Sequence, residues 1–196
     1  MMLLSSEEAR VFEIINPEGK SDFLLVCDHA SNRVPKSLNN LGLTDDQLND
    51  HIAWDPGAAI VARKLSQLLD ATLVVSGYSR LVIDCNRALI SPQLIAQVSD
   101  GIKVPANQNL TDTERQQRID TFFKPYHHAI NSVLEQRKGR DTILLSIHSF
   151  SPALAEPDKN TARPWHIGLS FKEKAKLTDH LYAGLIKDKQ LCVGYH

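Results

Sequence analysis

Phe23-Leu24-Leu25-Val26-Cys27, running straight into Asp28-His29-Ala30-Ser31-Asn32-Arg33-Val34-Pro35, is the stretch that decides the fold. Five consecutive apolar residues without period-two alternation are the pattern of a strand covered on both faces. Ala71-Thr72-Leu73-Val74-Val75, Leu81-Val82-Ile83, Ile143-Leu144-Leu145-Ser146-Ile147 and His166-Ile167-Gly168-Leu169-Ser170 read the same way, and Leu191 to Val193 closes the series. Helical patterns lie between them. Pro56 to Leu69 starts on proline and carries Ile60, Val61, Leu65, Leu68 and Leu69, a spacing that predicts an amphipathic helix. Thr111 to Arg137 opens on the capping box Thr111-Asp112-Thr113-Glu114 and continues with Ile119, Phe122, Phe123, Tyr126, Ile130, Val133 and Leu134. Pro125 inside that pattern predicts a kink or break near Lys124. A last helix is expected over Glu173 to Ile186. The stretch from Ile90 to Leu110, rich in Pro, Asn and Gln, reads as a long loop of the kind that often carries function. The expected architecture is one α/β domain over residues 1–196, with a central, mixed, mostly parallel sheet flanked by helices on both faces.

Composition narrows the function classes. The 196 residues are 42% apolar and 23% charged, ordinary for a globular chain able to bury a core. A net charge of -1 offers no basic surface for nucleic acid or an anionic membrane. No apolar run is long enough to cross a bilayer. Met1 to Arg10 contains Glu7 and Glu8 and lacks a basic start before a long apolar stretch, so no signal peptide is expected. Cys27, Cys85 and Cys192 are odd in number and far apart, which fits a reducing, cytoplasmic compartment. Acidic neighbours raise the thiol pKa of Cys27 and Cys85, so both read as packing residues rather than nucleophiles. The expected partner is a small molecule rather than nucleic acid or a membrane.

Ligands of open α/β sheets gather beyond the carboxyl ends of the strands. Three such ends are polar here: Asp28-His29, Asp84-Cys85-Asn86-Arg87 and His148-Ser149-Phe150. Neutral imidazoles at 29 and 148 suit a divalent metal, zinc by ligand type, and a carboxylate would complete a three-ligand set with one position open. Asp55, in Ala53-Trp54-Asp55-Pro56-Gly57-Ala58, is the candidate carboxylate; its alternative role is helix N-cap, which spacing alone favours. Asp28 is either a partner holding a ligand histidine or the cap of the following turn. Arg80 and Arg87 flank an apolar run, where a guanidinium needs an anion: a substrate carboxylate, or Asp84 or Asp55 in an internal ion pair. Of His127 and His128, one reads as packed or exposed and the other as able to approach the site.

These segments, taken in order, resemble the successive motifs of the N-formylglutamate amidohydrolase family. They are Val26 to Pro35, His51 to Ala58, Ser79-Arg80-Leu81-Val82-Ile83-Asp84-Cys85-Asn86-Arg87, Pro125-Tyr126-His127, Ser146 to Phe150 and Arg163 to Gly168. The resemblance runs from about Phe23 to Gly194. It implies a fold like that of the zinc carboxypeptidases, which is phosphorylase-like, and of aspartoacylase-like deacylases. It also implies hydrolysis of N-formyl-L-glutamate to formate and L-glutamate, a late step of histidine degradation. The metal ligands implied are His29 and His148, with Asp55 as the third, because Asn32 stands where the carboxypeptidase pattern has Glu. Asn86-Arg87 would grip the substrate carboxylate, with Arg80 and Asn32 beside it, and Arg80 and His127 are the candidate catalytic groups. Members of the family continue past a Val-Gly such as Val193-Gly194 to a strand bearing a glutamate that acts as general base. The C-terminal part is therefore expected to lie beyond this sequence. The alternatives are a metal-dependent deacylase of another small N-acyl amino acid and an inactive carboxylate-binding module.

Overall fold

The computed structural model describes residues 3–152, 162–171 and 176–195. The chain divides into two compact units, Met1–Phe150 and Ser151–His196. In chain order, the first unit contains strands β1 (Phe12–Ile15), β2 (Phe23–Cys27), β3 (Thr72–Ser76), β4 (Val98–Ser99), β5 (Ile102–Lys103) and β6 (Ile143–Ser146). Its helices are α1 (Asp45–Asn49), α2 (Ala58–Leu69), α3 (Asp112–Arg118) and α4 (Lys124–Gln136). Four strands form one mixed sheet in the order β1-β3-β2-β6, antiparallel only between β1 and β3.

Alternate residues of the buried strands feed two cores. Leu24, Val26 and Val74 pack with Tyr126, Ala129, Ile130 and Val133 of α4. Leu25, Cys27, Leu73 and Val75 pack with Ala58 and Ala62 of α2 on the other face. The helix over Pro56 to Leu69 is thus present from Ala58, but its inward face is not the expected one. Small residues Ala58, Ala62 and Ser66 are buried, whereas Ile60, Val61 and Leu68 are 63%, 50% and 81% exposed. Residues at i, i+4 and i+8 line one helix face, and small side chains there let the helix lie close on the sheet.

The long helical stretch begins at its capping box, Thr111 Oγ1 accepting from Glu114 N–H. Its irregularity comes just before Lys124. Ile119–Phe123 is a π turn, closed by the Lys124 N–H donating to Ile119 O, and α4 then runs on through Pro125. Proline removes one intrahelical donor, and a widened turn ahead of it absorbs the mismatch without a break.

Leu81-Val82-Ile83 is buried, as its composition requires, but it is not a strand. Its carbonyls are taken by side chains instead: Asn107 Nδ2 donates to Leu81 O at 2.9 Å and Arg118 Nη1 to Val82 O at 3.0 Å. Where this segment departs from β3, Gly77 donates its N–H to Val11 O at 2.7 Å. A Cβ there would lie 2.2 Å from Arg10 O, so only glycine permits the approach. The stretch from Ile90 to Leu110 contains the β4–β5 hairpin, turned by Asp100 (φ 46°) and Gly101 (φ 78°), and a short 3₁₀ turn at Pro105–Asn107. An Asp-Gly pair is a hairpin signal that composition alone hides.

In the second unit, β7 (Ile167–Leu169) and β8 (Val193–Tyr195) form a parallel pair, and α5 spans Lys176–Leu185. The first residues of the helix expected from Glu173 lie outside the described residues. Leu191 and Cys192 precede β8 rather than belonging to it; the Cys192 N–H donates to His166 Nδ1 at 2.9 Å. Among the described residues no helix is long and apolar enough to cross a membrane.

Candidate functional site

β2 and β6 are parallel neighbours with Val26 opposite Ser146, so the residues two positions on, Asp28 and His148, emerge at the same sheet edge. His29 follows Asp28 directly. Asp55 arrives from the loop before α2, its N–H donating to His29 O at 3.0 Å. The cap of α2 is Gly57 (φ 84°), with no side-chain cap bond. The left-handed glycine starts the helix without Asp55, whose carboxylate turns instead to the Ser149 N–H at 3.0 Å and to His148 Nδ1 at 3.0 Å. The N-cap role that spacing favours is therefore not the one Asp55 fills.

His29, Asp55 and His148 each bring one donor atom into a group that lies within 4.8 Å. His29 is 3% exposed and its Nδ1 is buried without a hydrogen-bond partner. Asp55 Oδ1 is 3.4 Å from that nitrogen, within ion-pair reach but out of alignment for a hydrogen bond. The other carboxylate oxygen, Asp55 Oδ2, is the one 3.0 Å from His148 Nδ1, so the carboxylate spans the two imidazole nitrogens. The residues fit a divalent cation.

Each histidine also has a carboxylate behind it. His29 Nε2 lies 2.7 Å from Asp84 Oδ1, and His148 Nε2 lies 3.2 Å from Asp28 Oδ2. With protons held at both Nε2 atoms, the two Nδ1 atoms that face inward would be the ones to offer lone pairs to a cation, the arrangement that outer carboxylates impose on metal-binding imidazoles. Burial opposes charge on every group here, yet mutual pairing outweighs it. Burial pulls His148 down, but contact with Asp28 and Asp55 carries it up to about 9, and Asp55 and Asp84 likewise raise His29. Asp55, against burial, is held far below the usual carboxylate range by His148, His29 and the Ser149 N–H. Asp28 and Asp84 are lowered in the same way by their histidine partners. Cys27 is pushed up to about 12 by burial, then by Asp28 and Asp55, which makes it an inert packing group.

The arginines differ from one another. Arg80 donates to Asp84 Oδ2 at 2.9 Å and sits 3.8 Å from Asp55 Oδ1, forming the internal ion pair that its sequence position allowed. Arg87 is half exposed, with Nε 3.8 Å from Asp84 Oδ2. Both line a cavity of about 140 Å³ together with Asp84, Gln93, Ser99 and Asp100. The side-chain amide of Asn86 is 3.3 Å from His148 Nε2.

Two expected site residues are engaged elsewhere. The His127 ring stacks on Phe123 with centroids 4.2 Å apart, and Nε2 meets the Cys85 carbonyl at 2.9 Å. It holds the loop that carries Asp84, Asn86 and Arg87. Asn32 donates to Asn49 Oδ1 at 2.9 Å, at the end of α1. Conversely, Asp84, Tyr126 and Ser146 touch the cluster or its carboxylates without having stood out as site residues. Only the strand-end position of Asp84 hinted at such a place.

The family model described as N-formylglutamate amidohydrolase matches residues 21–195. No curated protein matches the chain. The crystal structure of a gene product from Agrobacterium tumefaciens is similar at a TM-score of 0.92 and 35% identity, covering 98% of this chain and 75% of that one. Since the family match takes in the whole His29–Asp55–His148 cluster, its supporting carboxylates and both arginines, the chain belongs to the N-formylglutamate amidohydrolase family, a family of amidohydrolases.

Proposed function

We propose that this protein hydrolyses the amide of an N-acyl amino acid, N-formyl-L-glutamate first among them, using a divalent cation, zinc by its ligands, held by His29, Asp55 and His148. One observation carries the proposal. A buried imidazole nitrogen, His29 Nδ1, has no hydrogen-bond partner and faces a carboxylate and a second imidazole beside a cavity lined by two arginines. A bound cation would supply Lewis acidity toward the acyl oxygen and lower the pKa of water.

The chain's own residues do the rest. Arg87, half exposed and only distantly paired, is the group able to form a two-pronged bond to a substrate carboxylate, with the Asn86 amide alongside. Arg80 stays on Asp84 and presents its remaining face to the cavity. Asp84 holds the proton of His29 at Nε2. A substrate with an anionic tail on Arg87 brings its acyl group toward the histidine pair, where positioning converts binding into rate. With formate and glutamate as products, the reaction would serve as a late step of histidine degradation, and the free cysteines support a cytoplasmic setting for it.

The test is formate release by the purified full-length protein from a panel of N-acyl amino acids, before and after chelation and with zinc restored. Release from N-formylglutamate that is lost on chelation and recovered with zinc is expected. A zinc-replete protein that binds N-formylglutamate yet liberates no formate is a carboxylate-binding module, and one that prefers another amide by a large factor has a different substrate.

A further inference from the structure

α4 sends one fully buried hydroxyl to the metal-binding edge of the sheet. Tyr126 is 0% exposed, packed among Leu24, Val26, Val74 and Val133. A phenylalanine would fill that space equally well. The hydroxyl does something else: it donates to Asp28 Oδ1 at 2.8 Å, and a buried O–H is retained where it has such a partner. The other oxygen, Asp28 Oδ2, accepts from Ser146 Oγ at 3.1 Å. Ser146 Oγ in turn lies 2.9 Å from His148 Nε2, and Asp28 Oδ2 is itself 3.2 Å from that nitrogen.

A carboxylate bonded at one oxygen can swing about its Cβ–Cγ bond. Bonded at both, its plane is set. Asp28 is 6% exposed, so water does not replace a missing donor at little cost. With its plane set, Asp28 and Ser146 together keep the proton of His148 at Nε2. They leave Nδ1 facing Asp55 Oδ2 at 3.0 Å. His29 is secured differently. Its carboxylate, Asp84, takes Arg80 at 2.9 Å and the Asn86 N–H at 2.9 Å, and Arg80 and Asp84 both line the cavity. His29 is therefore tied to Arg80 through Asp84, and His148 to the protein interior through Asp28 and Ser146, with the Asn86 amide also 3.3 Å from its Nε2.

We propose that Tyr126, acting through Asp28 and Ser146, is the positioning residue that orients His148 for metal binding. The proposal rests on reading His29, Asp55 and His148 as metal ligands. Partners of this kind typically contribute 10- to 100-fold to metal affinity.

The test measures the zinc dissociation constant by competition with a chromophoric chelator, on protein shown to be folded by circular dichroism. Tyr126→Phe is expected to weaken zinc binding about 10-fold, and the isosteric Asp28→Asn by up to about 100-fold. Under saturating zinc, the KM of Tyr126→Phe for N-formylglutamate should stay within about twofold of wild type, because the arginine side is untouched. Val133→Ala removes packing from the same core without touching the chain of hydroxyls. It should lower the melting temperature and leave zinc affinity within about twofold. Should Tyr126→Phe misfold, Asp28→Asn carries the test alone. Wild-type protein that binds zinc no more tightly than these folded variants overturns the positioning role only. Wild-type protein that binds no zinc overturns the metal site and this proposal with it.

Discussion

Arg87 projects into the cavity with half its side chain exposed, and its nearest carboxylate oxygen is 3.8 Å from Nε. At that distance and exposure the ion pair contributes little, and the guanidinium is free to take a second anion. A planar fork holds a carboxylate by two parallel bonds, whereas an ammonium holds it as a point charge. Arg87→Lys should therefore raise KM for N-formylglutamate by about 10-fold while lowering kcat by less, the pattern of lost ground-state grip. Steady-state kinetics decide it, and an unchanged KM makes Arg87 structural. At this scale, sequence distinguished residue types better than residue roles. Both histidines and Asp55 come together at the edge, but nothing in the spacing showed that Gly57 would free Asp55 from capping α2. His127 looked catalytic beside Tyr126, yet the tyrosine reaches the cluster's carboxylate and the histidine reaches a backbone carbonyl. Neighbours on a helix point about 100° apart, so a motif names a pair without saying which member faces the site.

Elements were legible where one apolar run meets two packed faces, as in β2 and β3, or where a capping box marks a helix start, as at Thr111; β6 forms as read, yet its Leu144 is 51% exposed. They were illegible where side chains replace a ladder. Leu81-Val82-Ile83 has a strand's composition, and its fate is decided by residues far along the chain. Arg118, 2% exposed, donates to Val82 O, to Asn107 Oδ1 and to Ala106 O, none of them a carboxylate. Burial pushes its pKa down to about 10, still well above neutrality, so the group remains charged and needs all three acceptors. Arg118→Met preserves bulk but strips the donors from three oxygens in the interior. It should destabilise the protein by about 2–4 kcal/mol. That corresponds to a fall in Tm of very roughly 5–15 °C for a chain of this size. Thermal denaturation of the variant is the check, and a Tm within a degree or two of wild type means the segment's irregular path does not depend on this guanidinium.

The molecule must accommodate three buried carboxylates, Asp28, Asp55 and Asp84, against one close guanidinium, Arg80, and the more distant, half-exposed Arg87. A divalent cation at the His29–Asp55–His148 cluster would balance that charge, and protons on the two histidines would be its substitute when it is stripped away. With no cation bound, Asp28 and Asp55 carry His148 against burial from an ordinary 6.5 up to about 9, and His29 is raised as well. A folded-state pKa above the unfolded one means that the folded state holds its proton where the unfolded chain has lost it. The resulting stability is fully present below about pH 6.5 and lost as pH rises through 9. His148 is exposed at the surface, so solvent screening keeps its share well below what the full shift would imply. The depressed carboxylates set the acid side, contributing above their ordinary 3.8 and losing that contribution as pH falls. A cation bound at the two Nδ1 atoms would take the place of their protons, so protein loaded with it would escape the alkaline loss. The melting-temperature gap between stoichiometrically loaded and chelator-stripped protein should therefore widen from pH 6.5 to pH 9. Calorimetry of the two forms across that range tests it. A gap that stays constant or narrows would mean that cation and protons do not compete for one charge deficit, and that the buried carboxylates are balanced by something other than this pair of imidazoles.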